Sequence, residues 1–211
     1  SVRLDSKSPF AQVGLANALA MQGKLGEAET LLKRVVSRFP DAPFGWLNLG
    51  NVARDQARLE EAAGHYQRAL LCDPHLAEAH NNLGSALHGL FRFEEAEREY
   101  RACLDLAPGH PLARVNLISV LIDMGRFAEA EHAARRLLQH TPANGQANGL
   151  LAAAIASQGR LRHALPYYQA AARLEQQGEE RAALSLACAL HECGDSESSL
   201  RAFGPLMGET R

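Results

Sequence analysis

Residues 43–76 read PFGWLNLGNVARDQARLEEAAGHYQRALLCDPHL, and residues 77–110 read AEAHNNLGSALHGLFRFEEAEREYRACLDLAPGH. The two stretches have the same length and share a leucine–glycine pair, a later alanine and tyrosine, and a closing proline. Similar residues at a fixed interval indicate a repeat protein, in which each unit forms the same supersecondary structure.

The period of 34 residues extends in both directions from these two stretches. One proline, one leucine and one alanine mark it in successive units: Pro40, Pro74, Pro108 and Pro142; Leu15, Leu49, Leu83, Leu117 and Leu151; Ala28, Ala62, Ala96, Ala130 and Ala164. A sixth copy follows after one inserted residue near 176–179. We predict an N-terminal extension over residues 1–8 and a single repeat domain over 9–211, with units 9–42, 43–76, 77–110, 111–144, 145–178 and 180–211.

Within one unit the apolar residues follow helical spacing. Ala96, Tyr100, Cys103 and Leu104 lie at i, i+4, i+7 and i+8, which is typical of one face of an α-helix. Each proline ends the second helix of its unit, because it has no N–H and disfavours helical geometry in the preceding residue. A glycine in a left-handed cap is predicted to separate the two helices of a unit at Gly23, Gly125, Gly159 and Gly194.

One unit carries a family signature in the residues Trp46, Leu49, Gly50, Ala62, Tyr66, Ala69 and Pro74. These residues resemble the tetratricopeptide repeat at nearly every signature position, and the next unit resembles it too. The resemblance implies an all-α fold, a right-handed α-solenoid of about six helix-turn-helix repeats. It also implies that the protein binds other proteins, through a concave face made by the first helix of each unit.

The fourth unit departs from that pattern at two positions. It has Ile118 where the pattern has glycine and Ala134 where the pattern has an aromatic residue. In a helical hairpin the small residue of the first helix faces the bulky residue of the second, so the total volume of the pair is expected to be conserved. We predict that Gly50 and Gly84 each face a tyrosine, whereas Ile118 fills the space that Ala134 leaves.

Two rows of small polar side chains recur with the same period in the first helices. The rows are Asn48, Asn82 and Asn116, followed three residues later by Asn17, Asn51, Ser85 and Ser119. Asparagine is a poor helix former, so helix propensity does not explain its recurrence. An amide offers one donor group and one acceptor, which match the backbone of an extended peptide. We predict a peptide-binding row similar to that of O-linked N-acetylglucosamine transferases; the alternative is that these amides bond neighbouring units.

Apolar residues at the start of the first helices suggest an apolar entrance to the groove: Phe10, Phe44, Leu112 and Val115. The alternative is that they pack on neighbouring helices. The resemblance does not extend to the carboxylate clamp found in some relatives, because Val13 and Leu47 occupy the lysine positions.

Composition excludes several other classes of function. The chain has 211 residues and a net charge of −2, which disfavours nucleic acid as a partner, and it has no apolar run long enough to cross a membrane. Four scattered cysteines favour reduced thiols in the cytoplasm. Cys188, His191 and Cys193 supply three ligands where a structural zinc site needs four, so no metal is expected. No catalytic motif is present, so we predict no enzyme activity, no catalytic residue and no cofactor.

Three functions remain open at this point. The first is a protein–protein interaction scaffold that binds an extended peptide or partner segment. The second is the substrate-recruiting part of a larger transferase, glycosyltransferase-like or sulfotransferase-like. The third is an assembly module that self-associates through its C-terminal helix, because no polar capping helix follows Gly204 and Pro205.

Overall fold

The computed structural model describes residues 8–174, 180–195, 198, 199 and 202. Every regular element within these ranges is helical, which confirms the predicted all-α fold class. The chain divides into two compact units, the first ending at Ala113 and the second beginning at Arg114.

The first unit contains six helices that alternate with short turns. They are α1 (Pro9–Met21), α2 (Leu25–Arg38), α3 (Pro43–Asp55), α4 (Leu59–Cys72), α5 (Ala77–Gly89) and α6 (Phe93–Leu106). Each helix packs on the next one along the chain, and α3 also contacts both α1 and α5. The first helices of successive hairpins therefore form a continuous layer in this unit.

The second unit begins in the first turn of α7 (Pro111–Asp123) and continues through α8 (Phe127–His140), α9 (Gly145–Ala156), α10 (Leu161–Leu174) and α11 (Glu180–Glu192). Its core buries Ile118, Leu151 and Ile155 at no more than 1% exposure, together with a series of alanines from α8, α9 and α10. Most of the second helix predicted for the sixth repeat, and with it the proposed self-association surface, lies outside the described residues.

The turn between the two helices of a hairpin is left-handed, as predicted. The glycines at this turn have φ of +77°, +73°, +75° and +85° at Gly23, Gly125, Gly159 and Gly194 respectively. Two hairpins of the first unit make the same turn without glycine, because Ala57 and Phe91 both have φ of +60°. The closing backbone bond is nevertheless the same, from the N–H of Arg58 to the Ala53 carbonyl at 2.9 Å and from Arg92 to Leu87 at 2.9 Å.

The periodic prolines end the second helices, because α2, α4, α6 and α8 each stop two residues before one. In three cases a side chain of the following first helix donates to the carbonyl of that proline. Trp46 Nε1 lies 2.7 Å from Pro40 O, His80 Nε2 lies 3.1 Å from Pro74 O, and Asn148 Nδ2 lies 3.2 Å from Pro142 O. These bonds give a partner to the carbonyl of the proline that follows each ended helix.

The predicted contact of glycine with tyrosine is present in the first unit. A Cβ atom added to Gly50 would lie 2.5 Å from the ring of Tyr66, and one added to Gly84 would lie 2.7 Å from the ring of Tyr100. In the second unit Ile118 and Ala134 are both buried in one apolar cluster. The structure thus places both kinds of pair in hairpin cores.

Ion pairs join successive hairpins on the side of the second helices. In the first unit Glu29 binds Lys33 at 2.6 Å and Arg58 of the next hairpin at 2.7 Å. In the second unit Glu131 binds Arg135 at 2.9 Å and Arg160 of the next hairpin at 2.8 Å. Burial alone would raise the pKa of Glu131, but hydrogen bonds from Arg160, Gln158 and Arg135 outweigh it and lower that pKa to about 2.

Candidate functional site

The structure brings part of the predicted polar row together in the first unit. Asn48 and Asn51 lie on α3, and Asn82 and Ser85 lie on the adjacent helix α5. We call these four residues the first-helix surface. Asn17 lies on α1 and is exposed.

Asn51 is the centre of a hydrogen-bond network on this surface. Its Oδ1 atom accepts from the Tyr66 hydroxyl at 2.9 Å and from Asn82 Nδ2 at 3.0 Å. Asn82 in turn accepts on Oδ1 from Asn81 Nδ2 at 3.1 Å, and both of these amides are buried. The network joins α3, α4 and α5, so it holds two successive hairpins in register.

The direction of the bond from Tyr66 follows from its environment. Burial raises the pKa of the Tyr66 hydroxyl to about 12, and the carboxylates of Asp55 and Glu78 act in the same direction against Arg54. The hydroxyl is therefore protonated at neutral pH and serves as the donor to Asn51. Both lone-pair directions of Asn51 Oδ1 are used within the protein, which leaves its Nδ2 group for other acceptors.

In Asn48 the donor group is used within the protein and the acceptor is not. Its Nδ2 group donates to the Phe44 carbonyl one turn earlier at 2.8 Å, and its side chain is half-buried. Within the part of the chain that the structure describes, Asn48 Oδ1 accepts no bond and Asn51 Nδ2 donates none. One acceptor and one donor group therefore stand about one helical turn apart on the same helix.

Ser85 occupies the position of Asn51 in the next hairpin and makes the equivalent contact. It is hydrogen-bonded to the hydroxyl of Tyr100, whose pKa is raised by burial. The two tyrosines that fill the glycine gaps thus end on the two polar residues of the second row. The sequence analysis did not predict these bonds from the tyrosines to the second polar row, nor the buried Asn81. The pairing of each glycine with a tyrosine was a signal from which the tyrosine bonds could have been predicted.

The remaining two residues of the predicted row belong to the second unit. Asn116 and Ser119 lie on α7, and both are half-buried. Their part in peptide binding stays a prediction.

Two of the residues predicted to form an apolar entrance, Phe10 and Phe44, lie together at one end of the first unit. A cavity of about 450 Å³ lies between the start of α1 and the loop from α2 to α3, and it is lined largely by apolar residues: Pro9, Phe10, Val13, Phe39, Pro43 and Phe44. The rings of Phe10 and Phe44 lie 6.4 Å apart between centroids. Leu112 is exposed, whereas Val115 is buried at 4% exposure, so for Val115 the packing alternative applies.

The described residues were also compared with what a metal site, a membrane span or a disulfide requires. Among the described residues, no three side chains of histidine, cysteine, aspartate or glutamate are grouped to hold a metal ion. The helices within those same ranges are too short or too polar to cross a bilayer. The four cysteines are free thiols, and Cys103 is fully buried at a position where two other units carry alanine.

Comparison with known families gives a consistent result. One sequence model described as tetratricopeptide repeat matches residues 2–43, 13–77 and 47–111, and a second model with the same description matches residues 87–154. Together these matches run over residues 2–154, which is more than half of the chain. No curated protein matches the chain significantly.

Several solved structures have a similar fold. PilW, described as a widely conserved type IV pilus biogenesis factor, is 20% identical with a TM-score of 0.86, over 96% of this chain and 94% of its own. PilF of Pseudomonas aeruginosa is 20% identical with a TM-score of 0.79, over 96% and 93%. YrrB, described as a TPR protein with an unusual peptide-binding site, is 18% identical with a TM-score of 0.63, over 82% and 89%. At these identities the likeness establishes the fold.

Proposed function

Because this chain belongs to the tetratricopeptide repeat family, whose stacked hairpins present extended binding surfaces, we propose that it is a protein–protein interaction scaffold. We propose further that the first-helix surface binds an extended segment of another protein through its main chain. The proposal assigns binding, and no catalytic step, to the described residues.

The observation that carries this proposal is the unequal use of the two amides on α3. The Oδ1 atom of Asn51 accepts from Tyr66 and Asn82, so its Nδ2 group can donate to a ligand. The Nδ2 group of Asn48 donates to the Phe44 carbonyl, so its Oδ1 atom can accept from a ligand. An extended peptide offers one carbonyl and one N–H per residue, so it complements such a pair. The network behind Asn51 fixes the orientation of that amide before a peptide arrives, which reduces the entropy lost on binding.

The expected affinity is modest. Each net hydrogen bond contributes about 0.5–1.5 kcal/mol, so a few main-chain bonds give weak binding with little sequence preference. Asn17 of the same unit is proposed to extend this contact, and Asn116 and Ser119 on α7 are proposed as peptide-binding residues of the second unit. YrrB, which is described as having an unusual peptide-binding site, has the same fold, and this supports a peptide as the class of partner.

One wider alternative applies to the same surface. As the recruiting part of a larger transferase, it would bind the substrate polypeptide in the same way, and the full-length gene would show whether a transferase domain adjoins it. Cytoplasmic localisation is also part of the proposal, supported by the four free cysteines.

The test uses a library of random extended peptides displayed on phage and selected on the intact chain. Asn51→Asp keeps the acceptor for Tyr66 and Asn82 but removes the proposed donor, so it should weaken binding of the selected peptides about 5- to 10-fold. Gln67→Glu makes the same amide-to-carboxylate change on an exposed position of α4 and is the matched control. Asn48→Ala, which removes the proposed acceptor, should weaken binding to a similar extent.

Calorimetric titration of the selected peptides measures these effects. Equal affinities for Asn51→Asp and Gln67→Glu would contradict the proposal, because the loss would then reflect charge alone or be absent. Failure of the library to yield any peptide whose binding depends on Asn48 would also overturn the main-chain contact.

A further inference from the structure

Phe91 is an exposed aromatic residue in a strained backbone conformation. It lies in the turn between α5 and α6, its side chain is 80% exposed, and its φ is +60°. Positive φ is uncommon for residues other than glycine and is an outlier for a bulky one. Four of the turns at this position contain glycine instead, so the fold does not require a phenylalanine here. Strain of this kind is concentrated at functional positions.

The surroundings of Phe91 differ from those of the other turns as well. Arg58, which follows Ala57, binds Glu29 of the preceding hairpin, and Arg160 binds Glu131 in the same way. Arg92, which follows Phe91, has Ala63 at the equivalent position of the preceding hairpin and binds Glu95 of its own helix. The bridge that ties this turn to the previous hairpin is therefore replaced by an apolar residue.

The cavity at the other end of the unit has the complementary form. An apolar cavity of about 150 Å³ holds a benzene ring, so about 450 Å³ accommodates a phenylalanine ring and part of its neighbour. Phe10 and Phe44 line it with exposed rings, to which a third ring could add in an edge-to-face contact. The cavity thus fits an aromatic side chain that projects from a surface.

Charges beside the two features are also complementary. Arg38 and Asp41 border the cavity, and Arg92 and Glu94 flank the projecting ring. Arg38 stands over the Phe39 ring at 5.4 Å, where it is exposed to a partner. The carboxylate of Glu94 has the charge opposite to that of Arg38, so the two side chains can face each other across a contact, whereas Arg92 is bound to Glu95. Opposite charges at the edge of an interface favour one register and exclude others.

One copy of the chain cannot join its own ring to its own cavity. The cavity lies at the first turns of α1 and α3, whereas Phe91 follows the last turn of α5. Each of these helices has 13 residues, which corresponds to a length of about 20 Å. The two features therefore lie at opposite ends of the layer of first helices.

We propose that two copies of this chain associate head to tail, with Phe91 of one copy in the cavity at Phe10 and Phe44 of the next. Such a contact is heterologous, so each pair leaves one ring and one cavity free and further copies can add. One aromatic side chain buries about 150–250 Å², far below the area of a stable dimer interface. The association is therefore weak and increases with concentration.

The experiment is sedimentation velocity of the intact chain over a wide range of concentrations. The unsubstituted chain should show a weight-average mass that rises with concentration. Phe91→Gly removes the ring and introduces the residue found at four other turns, and Phe10→Glu places a charge in the cavity at a position that is 72% exposed. Each variant should remain monomeric at every concentration. Leu71→Glu changes another exposed apolar residue, 75% exposed on α4, and should leave the association unchanged.

The decisive measurement is an equimolar mixture of the two monomeric variants. Phe10→Glu still carries the ring and Phe91→Gly still carries the cavity, so together they should form a one-to-one complex that grows no further. A monomeric unsubstituted chain, a mixture that stays monomeric, or a Phe91→Gly variant that still associates would each overturn the proposal. If circular dichroism shows that Phe10→Glu is unfolded, Phe44→Glu replaces it in the same mixture, because Phe44 lines the same cavity and is 41% exposed.

Discussion

Two hairpins of the first unit and the hairpin of α7 and α8 fill the same two core positions with residues of opposite size. In the first unit Gly84 on α5 leaves a gap that the ring of Tyr100 occupies, and Gly50 does the same for Tyr66. In the second unit Ile118 takes the place of the glycine and Ala134 the place of the tyrosine, and both are buried. The combined volume of the pair is kept while its distribution between the two helices is reversed.

This difference shows that packing constrains the combined volume of the two facing residues and not the identity of either one. Protein interiors are packed as densely as organic crystals, so the fold constrains the sum of two facing volumes more tightly than either residue alone. The tyrosine solution also supplies a hydroxyl, which reaches Asn51 in one hairpin and Ser85 in the next. The isoleucine solution supplies none, so the hairpin of α7 and α8 lacks a buried phenol behind its Ser119.

The largest expected effect comes from truncating the reversed pair. Ile118→Ala should lower the free energy of unfolding by about 2–5 kcal/mol, because it removes buried methylene and methyl groups and leaves a cavity beside Ala134. Chemical denaturation monitored by circular dichroism measures the change. Leu112→Ala on the same helix removes a 58% exposed side chain and is the matched control, with an expected change below about 0.5 kcal/mol.

A double substitution sharpens the same comparison. Ala134→Tyr alone should destabilise the protein by overpacking against Ile118, whereas Ile118→Gly combined with Ala134→Tyr should recover much of that loss. If the two changes are additive, Ile118 and Ala134 do not share one volume and the proposed pairing is wrong.

The second effect in size concerns the glycine of the first unit. Gly84→Ala should lower the free energy of unfolding by about 1–3 kcal/mol, because the new methyl group would lie 2.7 Å from the buried ring of Tyr100. Gly64→Ala on α4 makes the same chemical change at an exposed helical position with no atom within 4 Å, and should instead stabilise the protein by about 0.5–1 kcal/mol. Thermal and urea unfolding of both variants decides the matter. Equal signs for the two variants would show that helix propensity, and not the tyrosine ring, controls this position.

The period in the sequence was sufficient for the helices, their proline ends and the pairing of glycine with tyrosine, because each depends on residues at fixed offsets within one unit. It did not predict the turns at Ala57 and Phe91, where the backbone bond to the preceding helix holds a conformation that the residue itself disfavours. It placed Asn51 in a row but could not assign its donor and acceptor. That assignment depends on Tyr66 and Asn82, which approach it from two other helices.

The hairpins also differ in the side chain that bonds to the periodic proline. Trp46 and His80 in the first unit, and Asn148 in the second, all donate to the carbonyl of the preceding periodic proline. Only the histidine can change its charge near neutral pH. Its second ring nitrogen, Nδ1, lies 2.7 Å from Glu99 Oε2 on α6. The bond to Glu99 raises the pKa of His80, the Pro74 carbonyl acts in the same direction, and burial opposes both.

The smallest expected effect follows from that raised pKa. A histidine whose pKa is higher in the folded than in the unfolded protein stabilises the fold fully below the unfolded value of about 6.5, and this stabilisation is lost as the pH rises through the folded value. The difference in unfolding free energy between the unsubstituted chain and His80→Gln should therefore be larger near pH 5.5 than near pH 8.5, by about 0.5–1 kcal/mol. Urea denaturation at a series of pH values measures it. Glu99→Gln should reduce the same pH dependence, because it removes the carboxylate that stabilises the imidazolium. If the difference in unfolding free energy stays constant with pH, His80 contributes only through its hydrogen bond to the proline carbonyl, as Trp46 and Asn148 do.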